Sequence, residues 1–111
     1  MTNSTNIKLL KLQADLCKTL AHPKRLFIIK ELHHGERSVG QLAKKLGVRS
    51  TNVSQHLAIL RDRGAVEARR EATTIYYRLS DPKIGQACQL MEEVLLNQLE
   101  KNRELAERLA R

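Results

Sequence analysis

Apolar residues recur along this chain at two periods, and the change of period divides it into helical and extended segments. Leu9, Leu12, Leu16 and Leu20, flanked by Leu10, Ala14, Cys17 and Ala21, form a wide stripe that predicts a first helix over about residues 6–21. The stretch AHPKRLFIIKELHHG restarts the pattern. Pro23 suits a first helical turn, Leu26, Ile29 and Leu32 point inward, and Gly35 is placed to end the helix. Ser38 then precedes VGQLAKKLG, in which Val39, Leu42, Ala43 and Leu46 form a short apolar face. Gln41 stands three residues past Ser38, as a capping box requires, and Gly47 supplies the stop, so a third helix is predicted over about 39–46. A fourth opens at Ser50 or Thr51, either of which can cap it, and runs to about Arg63 before Gly64. Two helices joined by so short a turn form a helix-turn-helix.

Past Gly64 the period falls to two. Val66 and Ala68 share one side of a strand, and Ile75, Tyr77 and Leu79 share one side of another, around a polar tip at Glu71–Thr74. One tyrosine of the pair Tyr76 and Tyr77 must face the core in any register, so both are read as packing residues. Asp81 and Pro82 start a final helix predicted to run unbroken to the C-terminus, about 28 residues and about 42 Å long at 1.5 Å per residue. Along it Ile84, Cys88, Met91, Leu95, Gln98, Asn102, Leu105 and Leu109 alternate by four and three, a heptad-like seam. The fold class expected is mainly α with a small β-hairpin, in the order α-α-α-α-β-β-α, forming one domain over residues 1–111. A domain this small cannot bury such a helix alone. The expected cover is a second copy of the chain, joined through first and last helices about a two-fold axis; the alternative is an intramolecular clamp that frays past Gln98.

Composition adds a class of partner only through the distribution of charge. The 111 residues carry a formal net charge of +8. Residues 1–80 hold 15 Lys and Arg against 6 Asp and Glu, a balance of +9, whereas residues 81–111 hold 5 against 6, a balance of −1. A basic body with a near-neutral end predicts that the body meets a polyanion and the end meets protein. A charge that only solubilises is the alternative. No run of about 18 apolar residues occurs, and the opening MTNSTN lacks the basic start and apolar stretch of a signal peptide, so the expected location is the cytoplasm, with no membrane partner. Two cysteines, Cys17 and Cys88, far apart and in no CxxC arrangement, fit neither a disulfide framework nor a thiolate zinc knuckle.

The helix predicted to open at residue 50 buries Val53, Leu57 and Leu60 and holds Arg49, Thr51, Asn52, Gln55 and His56 outward as a row of hydrogen-bonding groups almost free of acids. Its sequence S-x-H-L-x-x-L-x-x-x-G-x-V, with Ser54, His56, Leu57, Leu60, Gly64 and Val66, together with LCKTLAHPKRLFIIKEL and REATTIYYRLS, resembles the ArsR-type winged helix-turn-helix repressors over about Ala14 to Leu96. The resemblance implies a homodimeric repressor that binds double-stranded DNA at an inverted repeat and is no enzyme. It implies that Arg49, Ser50, Thr51, Asn52, Ser54, Gln55 and His56 approach the major groove. There Gln or Asn pairs with adenine edges and Arg with guanine, whereas Ser50 and Thr51 suit phosphate contacts or caps. His56 either touches a base or bonds within the motif. Lys44 and Lys45 either clamp the DNA backbone or are only solvated. The hairpin becomes a wing whose Arg69, Arg70 and Arg78, with Thr73 and Thr74, reach a flanking phosphate or the minor groove; an ordinary exposed hairpin, partly neutralised by Glu71, is the alternative.

The resemblance leaves the signal open. Metal sensors of the family carry cysteines on the third helix or Asp, His and Glu sets on the last, and here the third helix has no cysteine and the last no histidine. No cofactor and no metal site is expected. His33 and His34 stand at a helix C-terminus, which favours them without any ligand role, and His22 belongs to a helix start. Cys17 and Cys88 lie on the two helices expected to meet at the dimer interface, so oxidation or persulfide formation there would alter the spacing of the DNA-reading helices. The alternatives are thiols that only fill space and ligation of a soft metal or arsenite. A family subgroup that senses reactive sulfur uses a second-helix cysteine and another near the end of the last helix; this chain has Lys30 near the first place and Cys88 early in its last helix. No phosphate-binding loop or nucleophile–base arrangement supports an enzyme, and a winged helix used only for protein association remains the rival function.

Overall fold

The computed structural model describes residues 4–110. Helix α1 spans Ser4–Leu20 and α2 Pro23–His33; a two-residue strand β1, Arg37–Ser38, leads into α3, Val39–Leu46, and α4, Ser50–Asp62. Strands β2, Val66–Glu71, and β3, Thr74–Leu79, form the hairpin, followed by α5, Pro82–Lys101, and α6, Arg103–Ala110. The fold is a winged helix-turn-helix with a three-stranded antiparallel sheet ordered β1-β3-β2.

Local side-chain chemistry sets most of the boundaries. The His22 ring caps α2, its Nδ1 accepting a hydrogen bond from the Lys24 amide at 3.2 Å, with Pro23 in the first turn. At α3 the capping box is complete: Ser38 Oγ accepts from the Gln41 amide at 3.2 Å, and Gln41 Oε1 accepts from the Ser38 amide at 2.8 Å. Gly47, at φ +70°, turns the chain so tightly that the Gly47 and Val48 amides both bond to the Ala43 carbonyl. Only Arg49 is then left as the extended residue before α4, so it holds the cap position without a side-chain hydrogen bond. Ser50 and Thr51, expected as caps, instead lie inside the first turn.

The hairpin register pairs Val66 with Leu79, Ala68 with Tyr77 and Arg70 with Ile75. The turn itself is Ala72–Thr73, tighter than the expected polar tip, with Ala72 at φ +55°. β1 has no counterpart in the periodicity, because two residues carry no period; it pairs Arg37 with Tyr77 and Ser38 with Tyr76. The final helix is broken, against expectation. The Asn102 amide and side-chain Nδ2 both donate to the Gln98 carbonyl, at 3.1 and 3.0 Å, and Asn102 leaves helical geometry at φ −105°, ψ 52°. A short amide side chain competing for backbone groups is the reason. The Leu105 side chain of the predicted seam lies outside the described residues.

The core consists of Ile28, Ile29, Leu32, Leu42, Ala43, Val53, Leu57, Leu60, Ala65 and Val66. Leu26, expected inside, is 43% exposed, while Ile28 is fully buried. The cause is that α2 packs against α3, α4, α5 and β3, so its buried arc is wider than a single stripe and is centred away from Leu26. Leu9, Leu10 and Leu12 of α1 are exposed, whereas Leu16 and Leu20 pack on the core. Among the described residues no helix is long and apolar enough to cross a membrane.

Helix α5 docks on α2 at Gly85, which is buried because the His33 ring lies where its Cβ would be. His33 Nε2 and Gln89 Oε1 meet at 3.1 Å, and Lys30 pairs with Glu92 at 3.2 Å. Gly85→Ala is expected to destabilise the protein by about 1–3 kcal/mol by pushing α5 off His33. Gly40, whose added Cβ would meet only Ser38 Oγ at 3.9 Å, is the control. Its alanine variant is expected to be neutral or to gain about 0.5–1 kcal/mol in urea denaturation.

Candidate nucleic-acid interface

Helix α4 is anchored by Val53, Leu57 and Leu60, all fully buried. That anchoring turns Arg49, Ser50, Thr51, Ser54 and Gln55 outward, and each is exposed. Val48, Arg49, Thr51, Asn52 and Gln55 line a shallow depression at the start of the helix. No acidic residue occurs between Ser50 and Arg61. Asn52 departs from the row: it is half-buried, and its Oδ1 is buried without a hydrogen-bond partner.

His56 is also drawn inward. Its Nδ1 accepts a hydrogen bond from Arg25 Nε at 3.2 Å, and its ring lies against the His22 ring at a centroid distance of 4.6 Å. Burial, followed by the charges of His22, Arg25 and Lys24, holds the His56 pKa below the usual histidine value. The two lysines of α3 part company: Lys45 pairs at 2.8 Å with Glu31, only 8% exposed, while Lys44 is exposed and has no acidic partner among the described residues.

The wing arginines divide by strand parity. Glu67, Arg69 and Glu71 share a face with Arg78, Tyr76 and Thr74, and Arg70 lies on the other face opposite Ile75. Arg69 meets the Glu36 carboxylate through Nε and Nη2 at 2.8–3.0 Å, reaches Glu71 through Nη1 at 2.9 Å, and lies over the Tyr76 ring at 4.9 Å. These contacts raise the Arg69 pKa, and the Arg69 hydrogen bond holds Glu36 below the usual carboxylate range. Arg78 pairs with Glu67 at 2.9 Å. Arg70 has no acidic partner among the described residues and stands exposed beside the tip, where Thr73 is exposed and Thr74 half-buried. Tyr77 packs on the core.

Arg25, Glu31 and Glu36 are residues that the sequence pattern did not single out. Arg25 was legible only as part of a helix start. Its position three residues after His22, on the same helical face, was the available signal.

A second surface lies away from α4. The end of α1, α2 and α5 enclose an apolar groove of about 570 Å³ lined by both thiols, with Leu20, Phe27, His33 and Met91. Cys17 is exposed and Cys88 half-buried. Burial, and then the proximity of Cys17, raises the Cys88 pKa. Among the described residues no group of three or more His, Cys, Asp or Glu side chains could hold a metal ion.

Comparison with known proteins decides the family. The profile described as bacterial regulatory protein, arsR family, matches residues 22–68. A biofilm growth-associated repressor of Agrobacterium fabrum is 51% identical over 70 residues, 63% of this chain and 60% of that protein. The protein of the same name from Xylella fastidiosa is 40% identical over 85 residues, 77% of this chain and 75% of its own length. The chain belongs to the ArsR family. A structural likeness agrees: the solution structure of a homodimeric winged helix-turn-helix domain from Mycobacterium bovis, described as a possible ArsR-family regulator, has a TM-score of 0.80 and 35% identity. It covers 90% of this chain and 93% of that domain. The matched ArsR segment begins at His22, contains α3 and α4, and stops within β2, so it takes in the α4 face and leaves out both thiols.

Proposed function

We propose that this ArsR protein is a sequence-specific DNA-binding transcriptional regulator, a homodimeric repressor whose operator is an inverted repeat. The observation that carries this reading is the exposed, acid-free face of α4, with Arg49, Ser50, Thr51, Ser54 and Gln55 held outward by a fully buried opposite face. Its width and hydrogen-bonding groups suit the major groove. In this reading Gln55 is the main base reader, and Ser50, Thr51 and Ser54 contact phosphate or base edges. Arg49, Lys44 and Arg70 with Thr73 and Thr74 bind the backbone. Lys45 and Arg69 act indirectly, fixing α3 and the wing through Glu31 and Glu36. His56 supports the pose of α4 through Arg25, and Asn52 lines the depression at the start of the helix beside Arg49, Thr51 and Gln55.

The dimer is supported by apolar side chains left exposed on α1, Leu9, Leu10 and Leu12, and on α5, Leu90, Met91, Val94, Leu95, Leu96 and Leu99. The Mycobacterium bovis domain is itself described as homodimeric. For the signal we favour chemistry at Cys17 and Cys88, which line one groove between α1 and α5. In that chemistry the two thiols lose two electrons and two protons to an oxidant or a polysulfide, joining through sulfur and shifting the helices that carry them. Ligation of arsenite or a soft metal by the same two thiols is the second reading.

Selection from a random duplex library tests the DNA assignment: recovery of an inverted repeat is expected, and binding to an acidic protein without any duplex preference would favour an association module. On the selected duplex Gln55→Ala should flatten discrimination between base variants by about 1–3 kcal/mol. Arg70→Ala should weaken all duplexes alike and lower the salt slope by about one.

Met91→Glu combined with Leu95→Glu should yield monomers in analytical ultracentrifugation, because a charged α5 face no longer buries against a second copy. Undisturbed dimers would remove α5 from the interface.

Fluorescence anisotropy should show that polysulfide releases the wild type from the selected duplex and leaves Cys17→Ser and Cys88→Ser bound. Equal binding by treated and reduced wild type would make both cysteines packing residues, and release by zinc or arsenite alone would favour the second reading.

A further inference from the structure

We propose that Arg25 is a positioning residue for DNA recognition: it clamps the last turn of α1 to α4 through the neutral imidazole of His56, and protonation of that imidazole loosens the DNA-reading helix. The inference rests on the DNA-reading role of α4. Arg25 Nη1 donates to the Thr19 carbonyl at 3.0 Å while its Nε donates to His56 Nδ1 at 3.2 Å, 31 residues on in sequence, so one guanidinium of α2 joins the last turn of α1 to α4. The Thr19 hydroxyl is itself turned to the Asp15 carbonyl at 2.9 Å, which fixes the turn that Arg25 holds. His22 braces the far side. Its ring packs on His56 while its Nδ1 is committed to the Lys24 amide.

The His56 ring therefore uses Nδ1 as an acceptor, which requires the neutral tautomer with the proton on Nε2. A second proton on His56 would turn its acceptor into a donor facing another donor, and would set an imidazolium against the Arg25 guanidinium. The titratable and charged groups that face His56 are His22, Arg25 and Lys24, all of α2. The last turn of α1 offers the Thr19 carbonyl through Arg25, and α3 and β2, which also pack on α4, add no charge to this set. Burial and these neighbours depress the pKa of His56. For a depressed histidine, the arrangement is fully favoured above the unfolded value of about 6.5 and loses ground as pH falls through the folded value. A histidine that touched phosphate would behave oppositely, because the charged ring is the better partner for an anion.

The sign of the pH dependence therefore separates positioning from contact. The experiment measures binding of the full chain to the duplex recovered from the random library, by fluorescence anisotropy at constant salt, from about pH 7.5 to about pH 5.5. Wild-type affinity is expected to fall, by less than the about tenfold that a histidine at the ordinary value of about 6.5 would give over this range, because the His56 pKa is depressed. His56→Gln, whose side-chain amide does not titrate, should bind with little pH dependence. Arg25→Lys, which lacks the Nε donor, should bind weakly throughout. Thermal melting followed by circular dichroism at both pH values confirms that each protein remains folded, and the wild-type profile stands even if a variant does not. Affinity that is constant or tighter in acid would overturn the proposal, as would full wild-type pH dependence in His56→Gln or wild-type affinity in Arg25→Lys. Failure to recover any duplex would overturn the DNA assignment beneath it.

Discussion

The rest of the structure depends on the burial of one helix on several sides. Ile28 and Ile29 of α2 are fully buried and Leu32 nearly so, in one cluster with Leu42, Val53, Leu57, Leu60 and Val66. Each such side chain contributes about 1.5–3 kcal/mol relative to exposure, and a chain of this size has few of them to lose. Because α2 touches α3, α4, α5 and β3, a change in its position is felt throughout the fold. Apolar packing fixes distance but only weakly fixes rotation. Rotation is set by polar side chains leaving α2 in different directions: Glu31 to Lys45 on α3, Arg25 to His56 on α4, and Lys30 and His33 to Glu92 and Gln89 on α5.

These polar links differ in how much they can hold. Lys30 and Glu92 are both well exposed, so their attraction is screened and modest. Glu31 is buried, and removal of Lys45 would leave its carboxylate without a partner in the interior. Exposed apolar side chains show a separate division of labour. Most of the large ones lie on α1 and α5, while the exposed cations around the DNA-reading helix without an acidic partner among the described residues, Lys44, Arg49 and Arg70, lie on α3, at the start of α4 and on the wing. Surfaces suited to a polyanion and surfaces suited to protein association thus occupy different helices.

How much was legible in the sequence follows from the reach of each interaction. The caps at Ser38 and Gly47 were readable because donor, acceptor and backbone lie within four residues. The buried face of α4 was readable because a helix repeats it three times, at Val53, Leu57 and Leu60. The short strand β1 was not readable: its partners Tyr76 and Tyr77 lie nearly forty residues on. For the same reason Arg69 read as a free cation, although Glu36 holds it from 33 residues away. His56 read equally well as touching a base or bonding within the motif, and the hydrogen bond it accepts comes from Arg25 on another helix, 31 residues away, beyond the reach of any local pattern. At Asn102 the pattern of apolar residues continued while the side chain competed for the backbone, so periodicity carried the helix too far.

The wing shows how a one-residue offset redistributes charge. Arg69 and Arg70 are adjacent and alike in sequence, yet strand alternation puts the first above Tyr76 and between two carboxylates and leaves the second beside Ile75 with no acid opposite. The acids of Glu31, Glu36, Glu67 and Glu71 are consumed in the same way, against Lys45, Arg69 and Arg78. Net charge is unchanged by such pairing, so the excess must sit on the cations left over. Lys44 at the end of α3, Arg49 at the start of α4 and Arg70 at the wing tip are among them, all exposed. These three positive groups lie on three successive elements, α3, the start of α4 and the wing. In the proposed DNA-binding reading a polyanion is drawn toward them before any base edge is read, because the field of unpaired charge extends about 8–10 Å at physiological salt and a hydrogen bond only about 3 Å.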